Sequence, residues 1–444
     1  MTRATHVAVR VAVRALLLGA VLAALGAALA LERAPRVAVP PPPGMEEVSG
    51  ARAALGRTVA AIEEGAPRLD LSAEDLDAVW SVAGRLVPQA RVATEFAPGA
   101  VTLRASLPGP FGRWVDLEAV VPSFADGLVL RRVRVGALPL PPGLAAWALE
   151  QGVERGLGTP AEVLTLFYPA MEARVDGVTL ARPGGAPSST RPEVVGGGAL
   201  ARLLGGLRGT PMPGAADLAF YRAELANDLS SGALRPEGSF LPHLTRTLGR
   251  AAERGATPGR DMRAEATAAL LALARDCGSE LIRPHIGRFL SDGDALSAEP
   301  VRESPCGAAG FHGRIDQRRH FITAAALRAA STRHTAVVIG ELKELDDMRG
   351  AGFDFTDMMA NQSGIRLADR LLATPADGWP HLLARMTEEA AVIGALDGLP
   401  GETPRDAFRA SIGGLDTPAY RDLFARIETR IDGLPLHAGM APTR

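Results

Sequence analysis

The sequence predicts an α+β protein with three parts: an N-terminal transmembrane helix, a small α+β domain with an antiparallel sheet, and an all-α C-terminal domain. Residues 15–31 form an unbroken apolar run. Residues 45–182 change from helical to alternating hydrophobic spacing, and residues 199–444 return to helical spacing almost throughout. Residues 183–198 are rich in proline and glycine, so we expect a flexible linker between the two domains.

The apolar run predicts one membrane-spanning helix. Its length over residues 15–31 is near the lower limit of the roughly 17–25 residues that a spanning helix needs. Residues 1–14 carry three arginines, which favour a cytoplasmic position for this end. We therefore expect a single-pass protein of the inner (cell) membrane with its domains in the periplasm. A cleaved signal peptide is the alternative, because Ala28-Leu29-Ala30 has the small-x-small form that signal peptidases accept.

The composition is that of a soluble body outside the cytoplasm. Hydrophobic residues make up 47% of the 444 residues, which is enough for roughly two or three ordinary cores. The formal net charge of -2 argues against nucleic acid as a partner. Cys277 and Cys306 predict a disulfide, because a metal site would need further soft ligands nearby. Two unpaired buried thiols are the alternative.

The α+β domain begins with a helix near residues 48–64. Ser72 with acidic residues in the next turn is typical of an N-cap and predicts a second helix. Alternating hydrophobicity then predicts antiparallel strands and hairpins at 101–107, 114–120, 128–135, 173–175 and 178–180. The prolines of residues 138–142 predict the end of the first sheet, and an amphipathic helix is expected at 143–157.

This order of elements resembles a known family. The capped helix with Leu71-Ser72-Ala73-Glu74-Asp75-Leu76, the hairpins, and the run Val133-Arg134-Val135-Gly136-Ala137-Leu138-Pro139-Leu140-Pro141 before a helix resemble the YpmS-like family of membrane-anchored extracytoplasmic proteins of unknown function. The resemblance covers this domain alone and implies an anchored ligand-binding or scaffolding module without catalytic residues. A sheet curved around a helix could also hold an acyl chain of an envelope lipid, although the same apolar residues fit an ordinary core.

Helical spacing with short breakers predicts a compact all-α domain after the linker, and no fixed period indicates a repeat array. The predicted helices cover residues 199–207, 216–229, 241–254, 261–275, 320–330, 335–348, 356–372, 379–396, 404–412 and 417–431.

The chemistry is expected in residues 314–364. Three predicted helices there each carry two polar residues on one face: Asp316 with His320, Glu344 with Asp347, and Asp357 with Asn361. Lys343 is the only lysine of the chain, and arginine occupies the other basic positions. A functional need for lysine explains this, and codon bias is the alternative. The histidines outside this stretch have no spaced partner, so we expect them at the surface or hydrogen-bonded.

The same stretch resembles a second family. The elements are Asp316…His320-Phe321, then Gly340…Lys343-Glu344…Asp347, then Phe353-Asp354-Phe355…Asp357…Asn361…Gly364. They are similar to the DK-x-x-HF, G-x-x-KE-x-x-D and D-x-x-x-N/D-x-x-G elements of the YfiM-type family of predicted periplasmic lipoproteins. The chain departs from the family at Gln317, where lysine is expected, and it has no lipobox cysteine. The resemblance implies a shared local site and no particular substrate.

These residues allow three interpretations. A divalent metal could be bound by His320, Glu344, Asp347 and Asp357, supported by Asp316 and Asn361. With Glu344 as general base and Lys343 binding an anionic group, this would be a metal-dependent hydrolase. The same groups could instead form a structural network of paired buried charges, or a non-catalytic site for an envelope ligand such as a cell-wall component. We expect an envelope structural or ligand-binding protein, with the hydrolase and a lipid-handling module as alternatives.

Overall fold

A computed structural model of the chain describes residues 29–86, 89–125, 129–147, 151, 170–181, 213–280 and 304–438. The chain divides into two compact units, and the described residues up to 181 belong to the first unit while those from 213 belong to the second. The first unit contains antiparallel sheets and the second is helical. The predicted α+β class and its order along the chain are therefore confirmed.

Most of the predicted transmembrane helix, residues 15–28, lies outside the described residues. At its C-terminal end the prediction is wrong, because Leu31 begins a short strand, β1 (Leu31–Glu32), and pairs with Val115. From Leu29 onward, no helix in the described part of the chain combines the length and apolar character that crossing a membrane requires.

Two antiparallel sheets and the helices beside them form the first unit. Its further elements are α1 (Met45–Glu63), β2 (Arg68–Ser72), α2 (Ala73–Leu86), β3 (Arg91–Ala97), β4 (Ala100–Pro108), β5 (Trp114–Pro122), β6 (Arg132–Val135), β7 (Leu138–Leu140), β8 (Ala170–Arg174) and β9 (Gly177–Ala181). The larger sheet has the order β3-β4-β5-β6-β7, with β1 also paired to β5, and the smaller sheet has the order β2-β9-β8.

The predicted cap of α2 is confirmed. The Ser72 hydroxyl accepts a hydrogen bond from the backbone N–H of Asp75 at 3.0 Å, and the Asp75 carboxylate accepts one from the backbone N–H of Ser72 at 2.9 Å. Each side chain thus satisfies a backbone donor that the first helical turn leaves free.

The prolines after β6 do not end the sheet, contrary to the prediction. Leu138–Leu140 forms β7, in which Pro139 lies opposite Arg134 of β6. A proline is tolerated there because β7 is at the end of the strand order, where a missing N–H breaks no second ladder. Strands β2 and β3 were not predicted. The chain is helical at 142–147, and the other predictions at 148–157 (except residue 151), 183–198 and 199–207 lie outside the described residues.

The second unit is built from helices around one large apolar core. They are α3 (Ala215–Ser230), α4 (Leu241–Gly255), α5 (Met262–Cys277), α6 (Ile315–Ala330), α7 (Arg333–Asp347), α8 (Phe355–Ala373), α9 (Trp379–Leu383), α10 (Arg405–Ser411) and α11 (Pro418–Asp432). Helix α6 begins at Ile315, earlier than predicted. The helix predicted over 379–396 ends at Leu383, although Met386 is buried as well. Apolar residues after Leu383 occur at near-helical spacing and several are buried, but they do not continue the helix. Their spacing in the sequence led to the prediction of a longer helix.

The predicted disulfide between Cys277 and Cys306 is confirmed. It lies beside Arg318 of α6, whose side chain is fully buried. The guanidinium group donates hydrogen bonds to the carbonyl oxygens of Cys277 at 3.0 Å, Cys306 at 3.1 Å, Gly307 at 3.0 Å and Ala309 at 2.5 Å. A buried charge is stable only when it is hydrogen-bonded in this way. Arg318 therefore fixes α6 to the segment around the disulfide.

Gly364 brings α6 and α8 into backbone contact. A Cβ atom at Gly364 would lie 2.0 Å from the carbonyl oxygen of Phe321 and 3.2 Å from the backbone nitrogen of Ala325. No side chain fits at that distance, so glycine is required where the two helices cross. Because His320 precedes Phe321, this contact also sets how closely its side chain approaches α8.

We expect Gly364→Ala to destabilise the second unit by about 1–3 kcal/mol or more, since the added methyl group must push two backbones apart. Gly249→Ala in α4 is the matched control, because a Cβ there meets nothing within 4 Å. The control should gain up to about 1 kcal/mol from the higher helix propensity of alanine. Urea unfolding followed by circular dichroism measures both. Equal stability of Gly364→Ala and the unchanged protein would refute the close contact.

Candidate functional site

Helices α6, α7 and α8 bring His320, Glu344 and Asp357 together. One potential ligand atom of each residue lies within 4.8 Å of the others. His320 Nε2 is 3.0 Å from Asp357 Oδ2, and His320 Nδ1 is 3.8 Å from Glu344 Oε1. Three of the four predicted metal ligands therefore converge on one place.

The first turn of α8 positions two of these carboxylates. Asp354 caps the helix, because its Oδ1 accepts a hydrogen bond from the backbone N–H of Thr356 at 2.6 Å. The backbone N–H of Asp354 in turn donates to Glu344 Oε2 at 3.2 Å. Asp357 lies in the same first turn, where the helix dipole favours a negative charge.

Asn361 holds the imidazole ring from the other side. Its Oδ1 lies 3.3 Å from His320 Nδ1, which is a hydrogen bond when Nδ1 carries the proton. The opposite helix leaves room for this amide, because a Cβ at Gly340 would lie 3.2 Å from Asn361 Nδ2. Gly340 and Asn361 are thus a matched pair across the contact of α7 and α8.

Lys343 reaches the same cluster from the more exposed end of α7. Its Nζ lies 3.4 Å from His320 Nε2 and 3.7 Å from Glu344 Oε1. It also makes a close ion pair with Asp347, four residues further along the helix. The carboxylate of Asp347, the fourth predicted ligand, is therefore engaged by Lys343 and lies outside the group formed by His320, Glu344 and Asp357.

Asp316 does not take the supporting position that was predicted. It pairs with Arg314 at 2.5 Å and accepts from the backbone N–H of Gln317 at 3.0 Å, near the exposed start of α6. Gln317 contacts the cluster instead, since its Nε2 donates to Asp357 Oδ1 at 2.8 Å. Arg314 Nη2 lies 3.6 Å from the same oxygen. Sequence reasoning missed Gln317, although its three-residue spacing from His320 placed it on the same face.

Burial raises the pKa of Glu344 to about 7, and the positive charges of His320 and Lys343 only partly oppose this effect. Burial alone would lower the pKa of His320, but the hydrogen bond and the charge of Asp357 outweigh it, so the pKa of His320 is raised. The pKa of Lys343 is raised as well, because Glu344 and Asp347 outweigh the effect of burial. Relative to the isolated groups, the cluster therefore favours the protonated forms of Glu344 and His320.

Several buried polar atoms of the cluster have no hydrogen-bond partner among the described residues. They are Glu344 Oε1, Asn361 Nδ2 and Gln317 Oε1. The side chain of Glu344 is only 1% exposed, so solvent does not easily supply the missing partner. Buried polar groups of folded proteins are normally paired, and an exception calls for a bound water, ion or ligand.

The cluster has an excess of negative charge when its carboxyl groups are ionised. Glu344, Asp347 and Asp357 carry three negative charges when ionised, and Lys343 supplies one positive charge. With His320 neutral, two negative charges are left over. A divalent cation would balance them, and so would two protons held on His320 and Glu344.

One pocket among the described residues of the first unit bears on the lipid-handling alternative. Its empty volume is about 230 Å³, including space open to solvent. Its lining includes the charged residues Arg36, Arg104, Asp116, Glu118 and Arg134. An acyl chain requires an apolar lining, so this pocket does not match that ligand.

Comparisons of the chain with protein-family models, with curated proteins and with solved structures found no match. The two family resemblances of the sequence therefore stay predictions, and the geometry of the cluster carries the functional argument.

Two histidines outside the cluster depart from expectation. His243 of α4 is buried and stacks on Phe240 with the ring centroids 5.3 Å apart. Neither of its ring nitrogens has a hydrogen-bond partner among the described residues. His437 is buried too, and its Nε2 lacks such a partner. Burial lowers the pKa of each ring to about 4, so both are neutral in the folded protein.

We expect these two rings to make the second unit acid-sensitive. Their folded pKa of about 4 lies below the unfolded value of about 6.5. The stability that they contribute is therefore fully present above pH 6.5 and is lost as the pH falls towards 4, by at most about 3 kcal/mol per ring. The free energy of unfolding of His243→Phe, which keeps the stacking, should fall less between pH 6.5 and pH 4 than that of the unchanged protein. His381→Gln, at an exposed position, is the control, and identical pH curves for all three proteins would contradict the expectation.

Proposed function

We propose that this protein is a single-pass inner-membrane protein with both domains in the periplasm, and that its helical unit binds a divalent cation through His320, Glu344 and Asp357. The observation that carries the binding site is the convergence of three ligand-type side chains, from three helices, around a buried carboxylate oxygen that has no hydrogen-bond partner among the described residues.

In each proposed ligand, a neighbouring group contacts one of the two polar side-chain atoms. Asn361 approaches Nδ1 of His320, Gln317 donates to Oδ1 of Asp357, and a backbone N–H donates to Oε2 of Glu344. The atoms left for an ion are Glu344 Oε1 together with His320 Nε2 and Asp357 Oδ2, which face each other at 3.0 Å and would turn from each other to the ion. Outer hydrogen bonds of this kind orient the ligands of natural metal sites. One imidazole and two carboxylates match Zn²⁺ or Mn²⁺ and leave coordination positions open.

A metal-dependent hydrolase is the second candidate. It rests on the position of Glu344, because a buried carboxylate beside two other metal-type ligands is placed to act as a general base. In this version a bound metal would supply an activated water, and Glu344 would leave the ligand set to take up its proton. Lys343 would then be available to bind an anionic group of the substrate.

The location in the envelope is supported by two features. One is the apolar run that begins at residue 15, after three arginines, and ends before strand β1, which favours an anchor with its N-terminal side in the cytoplasm. The other is the disulfide between Cys277 and Cys306, because disulfides persist mainly in oxidising compartments. Envelope lipids and cell-wall components are the partners that this location favours.

The metal proposal is tested on the full chain purified in detergent. We expect elemental analysis to find about one divalent ion per chain, and calorimetry with ZnCl₂ or MnCl₂ to show one site after treatment with chelator. His320→Ala, Glu344→Gln and Asp357→Asn should each weaken binding by about 100-fold or more, since loss of a ligand exceeds the roughly 10- to 100-fold effect of losing an outer contact. His381→Ala and Glu388→Gln change exposed residues of the same types and should bind normally.

A different outcome would favour the structural network. If the unchanged protein holds no ion, and the three ligand variants only lower the melting temperature, the cluster is a set of paired charges without a ligand. If the ion binds but no ester, phosphate or peptide substrate is turned over, the binding function stands and the hydrolase fails.

The membrane proposal predicts that the full chain stays in the membrane fraction during carbonate extraction, whereas a variant without residues 1–28 is released. The physical reason is that an apolar helix leaves lipid only at high cost. Mass spectrometry of the N-terminus provides the check. A mature chain that begins at Leu31 would show cleavage after Ala30 and overturn the anchor.

A further inference from the structure

Lys343 places a positive charge beside the atoms left for an ion in the proposed site. Its Nζ lies 3.4 Å from His320 Nε2 and 3.7 Å from Glu344 Oε1. These are two of the three atoms assigned to the ion, and the third, Asp357 Oδ2, lies 3.0 Å from His320 Nε2. A metal ion that bound them would stand a few ångströms from the ammonium group, where two positive charges repel each other strongly.

The ammonium group has an alternative position close by. Lys343 and Asp347 are 30% and 34% exposed, whereas Glu344 beside them is 1% exposed. The ion pair with Asp347 therefore lies at the solvent edge of α7. Lys343 can keep this partner while its flexible side chain turns away from His320, so leaving the site does not require the lysine to lose its charge.

Lys343 also leaves the buried end of the cluster incomplete. At 3.7 Å from Nζ, Glu344 Oε1 is beyond hydrogen-bond distance, and it has no other donor among the described residues. A lysine that served only to stabilise the network would be expected to satisfy this oxygen, because an unpaired buried acceptor is costly.

From these three observations we propose that Lys343 is an internal cation that competes with the divalent ion for the site. In the metal-free protein its ammonium group screens the carboxylates. When the ion enters, the ammonium group moves outward to Asp347, and it keeps its proton. The inference rests on the proposed metal site and assigns to this residue the control of its affinity.

The choice of lysine fits this role. The chain contains no other lysine, although it uses arginine freely at basic positions. A lysine has a compact charge on a flexible stem, whereas the planar guanidinium of arginine tends to lock onto carboxylates through two hydrogen bonds. A removable charge therefore calls for lysine.

The test compares Lys343→Met, which keeps the length but removes the charge, with Lys343→Arg, which keeps the charge. The full chain in detergent is stripped of metal and titrated with ZnCl₂ by calorimetry, and melting temperatures are measured in chelator and in ZnCl₂. We expect Lys343→Met to bind Zn²⁺ at least about tenfold more tightly than the unchanged protein, because the repulsion is gone. In chelator its melting temperature should be lower, because the carboxylates lose their counter-charge. Lys343→Arg should show no gain in affinity.

Each outcome decides the matter. Equal or weaker Zn²⁺ binding by Lys343→Met overturns the competition while the proposed metal site stands. If neither protein binds Zn²⁺, both the site and the competition fail. If only Lys343→Met binds, the competition is supported in its strongest form, with the lysine excluding the ion altogether.

Discussion

The backbone contact of α6 and α8 at Gly364 is the constraint on which the candidate site depends. A contact of this closeness fixes the separation and rotation of the two helices, because neither backbone can move without opening a gap. His320 stands next to the contact on α6, and Asn361 lies one turn before it on α8. The close packing of α6 and α8 therefore sets the distance between the polar side chains of these two helices. Helix α7 contributes Glu344 to the cluster.

Two buried charged groups of the second unit, Arg318 and Glu344, differ in the hydrogen bonds that surround them. Arg318 is surrounded by four carbonyl acceptors, and its role in holding the fold together is complete without any ligand. Glu344 is buried just as deeply, yet one of its oxygens lacks a donor among the described residues. Each hydrogen bond to a buried charge helps to stabilise the fold, whereas a buried acceptor without a donor is a cost that binding can remove. Arg318 thus has several acceptors already in place, whereas Glu344 Oε1 is open to a further donor or ion.

The predicted site residues that the structure brings together lie on helices with regular three- and four-residue spacing. His320, Glu344 and Asp357 belong to this class. Asp316 was misjudged because it lies in the first turn of α6, where Arg314 is an available partner only two residues away. Asp347 is the last residue of α7 and pairs with Lys343. Spacing alone gives the face of a helix, but near its ends a local partner decides where an exposed carboxylate goes.

The fold likewise has features that follow from a local sequence pattern and features that depend on neighbours distant in the sequence. The capped start of α2 followed from a purely local signal at Ser72, and it was right. Strand β7 contradicts the local meaning of Pro139, because the edge position that makes a proline harmless is a property of the whole sheet. Gln317 carries no charge and was passed over, although the cluster uses its amide to hold Asp357. What sequence alone could not supply was the identity of the neighbours across helices and strands.

The disulfide has a consequence for the cluster of the second unit. Cys277 and Cys306 are 29 residues apart, and their carbonyl groups are two of the four acceptors of Arg318. A reduced chain is freer in its unfolded state by about 3–4 kcal/mol and holds these acceptors less firmly. The anchoring of α6, and with it the position of His320, is therefore coupled to thiol oxidation. Reduction of this one bond would therefore loosen the cluster from a distance, although neither cysteine contributes a side-chain atom to it.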